Sequence, residues 1–146
     1  MDTLKDLTEF DGVDLTDINA LSADGENALH VAIHRGDTEA AKLLIEEGID
    51  IHQPGDLGQT PLHAASAWGN MEIVQLLVAK GADVFALTEG DPPFTLARYG
   101  KHDAICDYLG DEMKRRQSQD PAIWIRTRIK QLRREIARLE ESLDKS

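Results

Sequence analysis

The sequence predicts an all-α fold of stacked helix pairs, and three observations carry this prediction. First, the chain of 146 residues repeats itself at an offset of 33 residues, a period typical of helical repeat proteins. Second, the apolar residues inside each copy recur at three- and four-residue spacings, as they do on one face of an α-helix. Third, the stretch 121–146 carries a heptad pattern, which is typical of a helix that packs against another helix.

Identical residues at equivalent positions of two consecutive copies define the repeat. The copies begin near residues 24 and 57, and they share these pairs: Gly25 and Gly58, Leu29-His30 and Leu62-His63, Ala32 and Ala65, Gly36 and Gly69, Leu43-Leu44 and Leu76-Leu77, Gly48 and Gly81, Asp50 and Asp83. One such unit cannot bury its own apolar face. The copies are therefore expected to stack side by side.

The second copy predicts the order of elements within one unit. Thr60-Pro61 marks the start of a helix, because threonine caps free N–H groups and proline fits the first helical turn. Gly69 separates this helix from a second one, and Gly81, which tolerates left-handed backbone, ends the second. The apolar spacing predicts that the core of this unit comprises Leu62, Ala65, Ile73, Leu76 and Leu77.

This second copy resembles an ankyrin repeat. The resemblance rests on the segments Gly58-Gln59-Thr60-Pro61-Leu62-His63-Ala64-Ala65, Trp68-Gly69-Asn70 and Gly81-Ala82-Asp83. It implies an ankyrin-repeat α-solenoid that binds another protein and has no active site or cofactor of its own. In that family the histidine found here as His30 and His63 braces the turn by hydrogen bonds.

The resemblance extends over residues 1–112, strongly in the middle and weakly at both ends. An N-terminal half-repeat spans 1–23, and its inward face is predicted to be Leu4, Leu7 and Phe10. The repeats span 24–112, as two clear copies followed by a degenerate third copy that matches at an offset of 32 residues. Degenerate ends are expected because a terminal repeat faces water on its outer side.

The C-terminal part differs from the repeats. The polar stretch 113–120 is interpreted either as a linker or as a polar extension of the preceding helix. Asp120-Pro121 then predicts a new amphipathic helix over 121–146, with the aspartate as N-cap and the proline in the first turn. Its apolar residues form a coiled-coil stripe, which we call the seam: Ile125, Ile129, Leu132, Ile136, Leu139 and Leu143.

The charges beside the seam restrict its partner. In a parallel, in-register homodimer, Arg128 of one copy would face Arg133 of the other, and Glu135 would face Glu140, so like charges oppose that arrangement. Three arrangements remain: an antiparallel homodimer, a pairing with a helix of another protein, or a fold back onto the acidic solenoid of the same chain. Of these, the antiparallel homodimer is favoured.

The net charge of −11 is divided unevenly. Residues 1–112 carry six Lys and Arg against 22 Asp and Glu, a net of −16, whereas residues 113–146 carry ten against five, a net of +5. The acidic solenoid is interpreted either as ordinary solvated surface or as a surface that attracts a basic partner. No nucleic acid is expected on the solenoid, because its phosphates would be repelled. The basic residues of the tail flank the seam, which favours a coiled-coil surface over nucleic-acid contact.

Other classes of protein are disfavoured by composition. The sequence has no apolar run long enough to span a membrane, and its acidic N-terminus does not resemble a secretory signal. The single cysteine, Cys106, cannot form an internal disulfide, and it is interpreted as a small buried thiol rather than a reactive one. These features favour a cytoplasmic protein.

No enzymatic role is expected. His30 and His34 have the four-residue spacing of two metal ligands on one helix, but His30 is the histidine of the repeat motif, so no metal site is predicted. The sequence also lacks a nucleophile elbow, a phosphate-binding loop and a Cys-x-x-Cys pair.

Ankyrin proteins bind their partners through the tips of the turns between repeats and through the inner helices. The positions of this chain that match such sites are Glu26, His34, Arg35, Asp56, Leu57, Gln59, Trp68, Glu89, Asp91 and Tyr99. Trp68 is either a packing filler or an interface anchor, and the enrichment of tryptophan at hot spots favours the anchor. The predicted function is a protein-binding adaptor or scaffold. The alternative is a dedicated inhibitor of a basic partner, such as the immunity protein of a bacterial toxin.

Overall fold

The computed structural model describes residues 17–145. This part of the chain forms seven α-helices: α1 Ala28–His34, α2 Thr38–Glu46, α3 Pro61–Trp68, α4 Met71–Ala79, α5 Pro93–Tyr99, α6 Asp103–Gln119 and α7 Ile123–Asp144. A 3₁₀ turn, Asp56–Gly58, lies between α2 and α3. The described residues include no β-strand, so the predicted all-α fold is confirmed. The predicted inward face of the half-repeat, Leu4, Leu7 and Phe10, lies outside the described residues.

The helices form three antiparallel pairs that stack in chain order. Within each pair the inner helix packs on the outer one: α1 on α2, α3 on α4, and α5 on α6. The inner helices α1, α3 and α5 form one row, and the outer helices α2, α4 and α6 form a second row behind it. One continuous apolar core runs between the rows. This arrangement is the predicted solenoid.

The first two inner helices begin with the same reciprocal cap. The Asn27 side chain accepts a hydrogen bond from the His30 backbone N–H, and the His30 ring accepts one from the Asn27 backbone N–H. Thr60 and His63 repeat this pattern at the start of α3. Each cap satisfies backbone donors that the first turn of a helix leaves unpaired.

The capping histidines also join consecutive repeats. Because Nδ1 of each ring accepts a hydrogen bond, the ring proton is on Nε2. The Nε2–H of His30 donates to the Gln59 carbonyl at 2.9 Å, and that of His63 donates to the Asp91 carbonyl at 3.1 Å. Burial lowers the pKa of His63 to about 4 and also lowers the pKa of His30. Both rings are therefore neutral braces at physiological pH, as the family resemblance implies.

A close approach of backbone occurs where α3 ends. Gly69 has left-handed backbone, with φ of 77°, and a Cβ atom there would lie 2.5 Å from the His102 ring. Gly100 lies against the same ring. The His102 Nε2 donates to the Ala67 carbonyl at 3.0 Å. Because neither glycine has a side chain, the His102 ring fits between them, and the third repeat packs against the second.

Two details differ from the sequence expectations, and a third decides between two interpretations. Leu62 and Leu77 are fully buried, but Leu76 is only half-buried, because it lies at the margin of the helix face that meets the core. Residues 113–119 belong to α6, so the stretch is a helical extension and not a linker. The last helix starts at Ile123, because the Asp120 carboxylate caps a turn at Ala122 instead of the helix itself.

The first turns of α7 pack on the 82–87 loop, which joins the second helix pair to the third. The Trp124 ring meets the buried Phe85 ring edge-on, with centroids 4.5 Å apart, and the Thr127 side chain is also buried. The seam points the other way, and its six residues are 38% to 73% exposed. The helix therefore folds back onto its own chain, but it does so with the face opposite the seam.

Candidate partner-binding groove

A groove of about 310 Å³ lies on the inner-helix side of the repeats. It is bounded by the tips of two turns, at 56–59 and 88–91, and by the ends of the inner helices. Seven of the ten predicted partner-contact residues line it, namely Glu26, His34, Asp56, Leu57, Gln59, Glu89 and Asp91. We call this surface the acidic groove. Two further lining residues, Thr88 and Leu96, are absent from the sequence prediction.

The two turn tips are held together across the groove. The buried Thr88 hydroxyl donates a hydrogen bond to the Leu57 carbonyl at 2.6 Å, which joins the tip of one turn to the next. The only sequence signal for this contact is that Thr88 lies 31 residues after Leu57, close to one repeat period. The Thr88 contact therefore sets the width of the groove.

Left-handed backbone occurs at both tips without glycine. Leu57 has φ of 56° and Glu89 has φ of 50°, although residues with a side chain rarely adopt this region. Leu57 is also 63% exposed, so no burial of its side chain offsets the strain. Backbone strain of this kind tends to be retained at binding sites.

The charge of the groove is entirely negative. Four carboxylates line it, those of Glu26, Asp56, Glu89 and Asp91, and no lysine or arginine is among the described residues of its lining. Carboxylates gathered in a concave, partly apolar surface focus their field into the cleft. The groove therefore attracts cations and repels phosphates.

A chain of three side chains leads from the groove to Trp68. The Trp68 indole N–H donates to His34 Nδ1 at 2.9 Å, and His34 Nε2 lies 3.4 Å from the Glu26 carboxylate. The indole and imidazole rings meet edge-on, with centroids 6.1 Å apart. These contacts orient the Trp68 ring while leaving the residue 61% exposed.

The remaining predicted contact residues lie outside the groove. Arg35 follows α1, Trp68 ends α3 and Tyr99 ends α5, and all three are exposed. Arg35 follows the groove residue His34 in the chain, and Trp68 donates a hydrogen bond to His34. The structure thus brings seven predicted residues into one groove and leaves the other three outside its lining.

The residues that the sequence offered as a metal ligand and a reactive thiol, His30 and Cys106, have structural roles. Between residues 17 and 145, no group of His, Cys, Asp and Glu has the arrangement of a metal site. Both ring nitrogens of His30 are used in the cap and the brace. Cys106 is half-buried, and burial raises the pKa of its thiol, which favours the inert interpretation over the reactive one. Within the same range, no helix combines the length and hydrophobicity needed to cross a membrane.

Comparison with known proteins agrees with this architecture. The family model described as "Ankyrin repeats (3 copies)" matches residues 2–88. None of the curated proteins matches the sequence. The matched region includes the first two helix pairs and most of the acidic groove, while Glu89, Asp91 and helices α5 to α7 lie beyond it. Since the model covers more than half of the 146 residues, this chain belongs to the ankyrin repeat family.

Proposed function

We propose that this protein is an adaptor that holds a basic segment of a partner protein in the acidic groove. Ankyrin repeats generally mediate protein–protein interactions, so a binding module is the general function. The observation that carries the specific proposal is the set of four groove carboxylates without a basic residue in the described lining. The C-terminal helix, through its seam, joins this module to a further helix.

The basic tail contributes no residue to the described lining of the acidic groove. Lys130, Arg134 and Arg138 of α7 line a neighbouring cleft, together with residues of the 51–60 and 82–87 loops. The two clefts share no lining residue. The groove carboxylates are therefore proposed to bind a cation of the partner.

The size and composition of the groove suit an arginine side chain. Leu57 and Leu96 offer apolar surface to its methylene stem, and the carboxylates accept hydrogen bonds from its guanidinium. Arginine is preferred to lysine in this proposal because its planar fork binds carboxylates in pairs. Trp68, oriented beside the groove by His34, then serves as the aromatic anchor of the same interface.

A cytoplasmic location is part of this proposal. The single cysteine, Cys106, is a free thiol in the structure, which suits a reducing compartment. Nucleic acid is not proposed as a ligand of the solenoid, because the groove would repel its phosphates.

The proposal is tested by comparing the proteins that two charge-neutralised variants retain. The groove variant is Asp56→Asn/Glu89→Gln/Asp91→Asn. The control is Glu46→Gln/Glu47→Gln/Asp111→Asn, which removes the same number of charges at exposed positions outside the groove. Both are used as bait in extracts of the source cell, and the proteins retained are identified by mass spectrometry.

The expected result is a basic protein that binds the unaltered chain and the control equally. The groove variant should bind it at least about tenfold more weakly, because charge complementarity at the interface is lost. Equal binding by all three proteins would contradict the groove as the site, and a retained partner without a basic segment would contradict its chemistry.

The alternative function is a dedicated inhibitor of a basic partner, such as a bacterial toxin neutralised by an immunity protein. The same acidity favours this alternative, since toxin nucleases carry basic surfaces for their substrates. The two functions are separated by measuring the activity of the retained partner. An adaptor leaves that activity intact, whereas an inhibitor abolishes it at equimolar concentration.

A further inference from the structure

We propose that the seam of α7 pairs with the seam of a second copy of this chain, in an antiparallel arrangement in which the two helices overlap fully. This inference deepens the proposed adaptor function by naming the helix that the C-terminal helix binds. It does not depend on the ligand of the acidic groove.

Among residues 17–145, the solenoid packs on a face of α7 other than the seam. The helix packs on the solenoid through Ile123, Trp124 and Thr127. At 100° per residue, these positions lie on the side of the helix opposite Ile129 and Ile136. The two isoleucines are 44% and 54% exposed.

The second half of the helix is more exposed than the first. Every residue from 132 to 145 is exposed, although Arg134 and Arg138 border the cleft beside the 51–60 loop. An isolated helix of this length is marginal in water unless its apolar stripe is covered. The contacts with the solenoid therefore anchor the start of α7 and present the seam outward, where a second helix can bind.

Charge opposes a parallel second copy. With Ile129 at heptad position a, a parallel pair places Arg128 opposite Arg133 and Glu135 opposite Glu140, on both sides of the seam. All four contacts in that pair are between like charges.

An antiparallel pair with full overlap changes this balance. It places Arg126 of each copy opposite Glu140 of the other, which gives two contacts between opposite charges. Arg133 and Glu135 then face their own equivalents at the centre, which gives two contacts between like charges. Attraction and repulsion are therefore balanced, in contrast to the uniform repulsion of the parallel pair.

A staggered antiparallel pair, shifted by one heptad, is the remaining arrangement. It would pair Arg133 with Glu140 and avoid like charges, but it would leave Ile125 and Ile129 uncovered in both copies. Burial of an isoleucine side chain contributes more free energy than an exposed ion pair. Full overlap is therefore the arrangement proposed, and it relates the two acidic grooves by a twofold axis.

The test uses charge reversals in the full-length chain, with the dimer dissociation constant measured by sedimentation equilibrium. Arg126→Glu and Glu140→Arg should each weaken dimerisation about tenfold, because each turns two attractive contacts into repulsive ones. The double variant Arg126→Glu/Glu140→Arg should restore dimerisation to within about threefold of the unaltered chain. Arg133→Glu is the matched control, since residue 133 faces its own equivalent and the contact stays one between like charges.

Each arrangement of the two helices predicts a different set of dissociation constants for these variants. A parallel pair predicts tighter dimers for Glu140→Arg and Arg133→Glu, and a staggered pair predicts weaker dimers for Arg133→Glu and no rescue by the double variant. Either pattern overturns the proposal, as does a full-length chain that remains monomeric up to millimolar concentration. Circular dichroism of each variant verifies that α7 still folds.

The two proposals can fail independently. If the protein is a monomer but the partner still binds the groove variant more weakly than the control, only the dimer proposal is wrong. If the protein is a dimer but the partner binds the groove variant and the control equally, only the groove proposal is wrong.

Discussion

At the scale of single residues, the motif histidines connect sequence to fold most directly. His63 caps its own helix with Nδ1 and braces the next repeat with Nε2, and it is buried while doing so. A protonated ring would lose the acceptor that the cap requires. The fold therefore depends on these residues being neutral.

This dependence predicts a loss of stability in mild acid. The pKa of His63 is lowered from 6.5 to about 4, so the unfolded chain takes up a proton between these values while the folded chain does not. The stabilisation provided by the neutral His63 ring is fully present above pH 6.5. It is lost as the pH drops toward 4, which lowers the free energy of unfolding by about 2–3 kcal/mol. Urea denaturation at several pH values measures it. In the variant His63→Gln, whose side chain does not titrate, the free energy of unfolding should fall less between pH 6.5 and 5. If it falls as steeply with pH as in the unaltered chain, His63 is not the source of the acid sensitivity.

The core is tested by two adjacent leucines of α4. Leu77 is fully buried and Leu76 is half-buried. Leu77→Ala should lower the free energy of unfolding by about 2–5 kcal/mol, because it leaves a cavity. Leu76→Ala should cost about half as much or less, because only part of its surface leaves water. Equal losses in denaturation experiments would show that the packing register of α4 is wrong.

Trp68 is expected to act in binding more than in stability. The residue is 61% exposed, and its indole N–H donates to His34 at an exposed site. Trp68→Ala should therefore leave the melting temperature within a few degrees while weakening partner binding by about 2 kcal/mol or more. Calorimetry and thermal unfolding on the same samples separate the two effects. A large fall in melting temperature with unchanged affinity would assign Trp68 to packing.

At the scale of elements, α7 has two faces with different roles. One face packs on the 82–87 loop through Trp124 and Phe85, and the other carries the exposed seam. A repeat contacts only its neighbours, so the sequence alone treats this helix as an independent appendage. The packing on Phe85 makes it part of the folded stack instead.

Substitutions on the two faces should consequently behave differently. Trp124→Ala should lower the free energy of unfolding by about 2 kcal/mol, because it uncovers Phe85 and removes an aromatic contact. Leu139→Ser, on the exposed seam, should change the stability of the monomer by less than about 0.5 kcal/mol. Denaturation of dilute samples gives both values. If Trp124→Ala changes the free energy of unfolding as little as Leu139→Ser does, α7 does not pack stably on the 82–87 loop.

At the scale of the whole molecule, the separation of charge determines what the protein attracts. Residues 1–112 carry a net charge of −16, whereas the tail carries +5. The tail places part of its positive charge in a cleft along the 51–60 and 82–87 loops, which shares no lining residue with the acidic groove. The described lining of the groove is therefore acidic without a lysine or arginine.

This charge distribution predicts salt-dependent binding. Raising the ionic strength from about 0.1 M to about 1 M shortens the Debye length from roughly 10 Å to 3 Å, which screens exposed charges. Affinity for a basic partner should fall roughly tenfold or more over this range, mainly through a slower association rate. Surface plasmon resonance at several salt concentrations measures both rates. A salt-independent association rate would contradict electrostatic steering by the solenoid.

Much of this molecule was predictable from sequence, because repeat proteins are held together by contacts that recur with the repeat. The period of 33 residues, the Thr60-Pro61 cap and the glycine at each helix end specify local geometry, and stacking then places equivalent residues in rows. That is why most of the predicted contact residues meet in one groove. The seam was likewise visible as a heptad pattern, since helical periodicity is a local property.

Contacts between elements that the residue types do not mark required the tertiary structure. The Thr88 bond to Leu57, the His34 bond to Trp68 and the packing of Trp124 on Phe85 each join residues at least 31 positions apart. None is marked by residue type, because threonine, histidine and tryptophan serve equally well at solvated or packed positions. The sequence by itself determined the repeats and the apolar seam of the last helix. Only the tertiary structure decided which face packs on the solenoid, because that choice depends on the shape and the uncovered apolar surface of the repeat it meets.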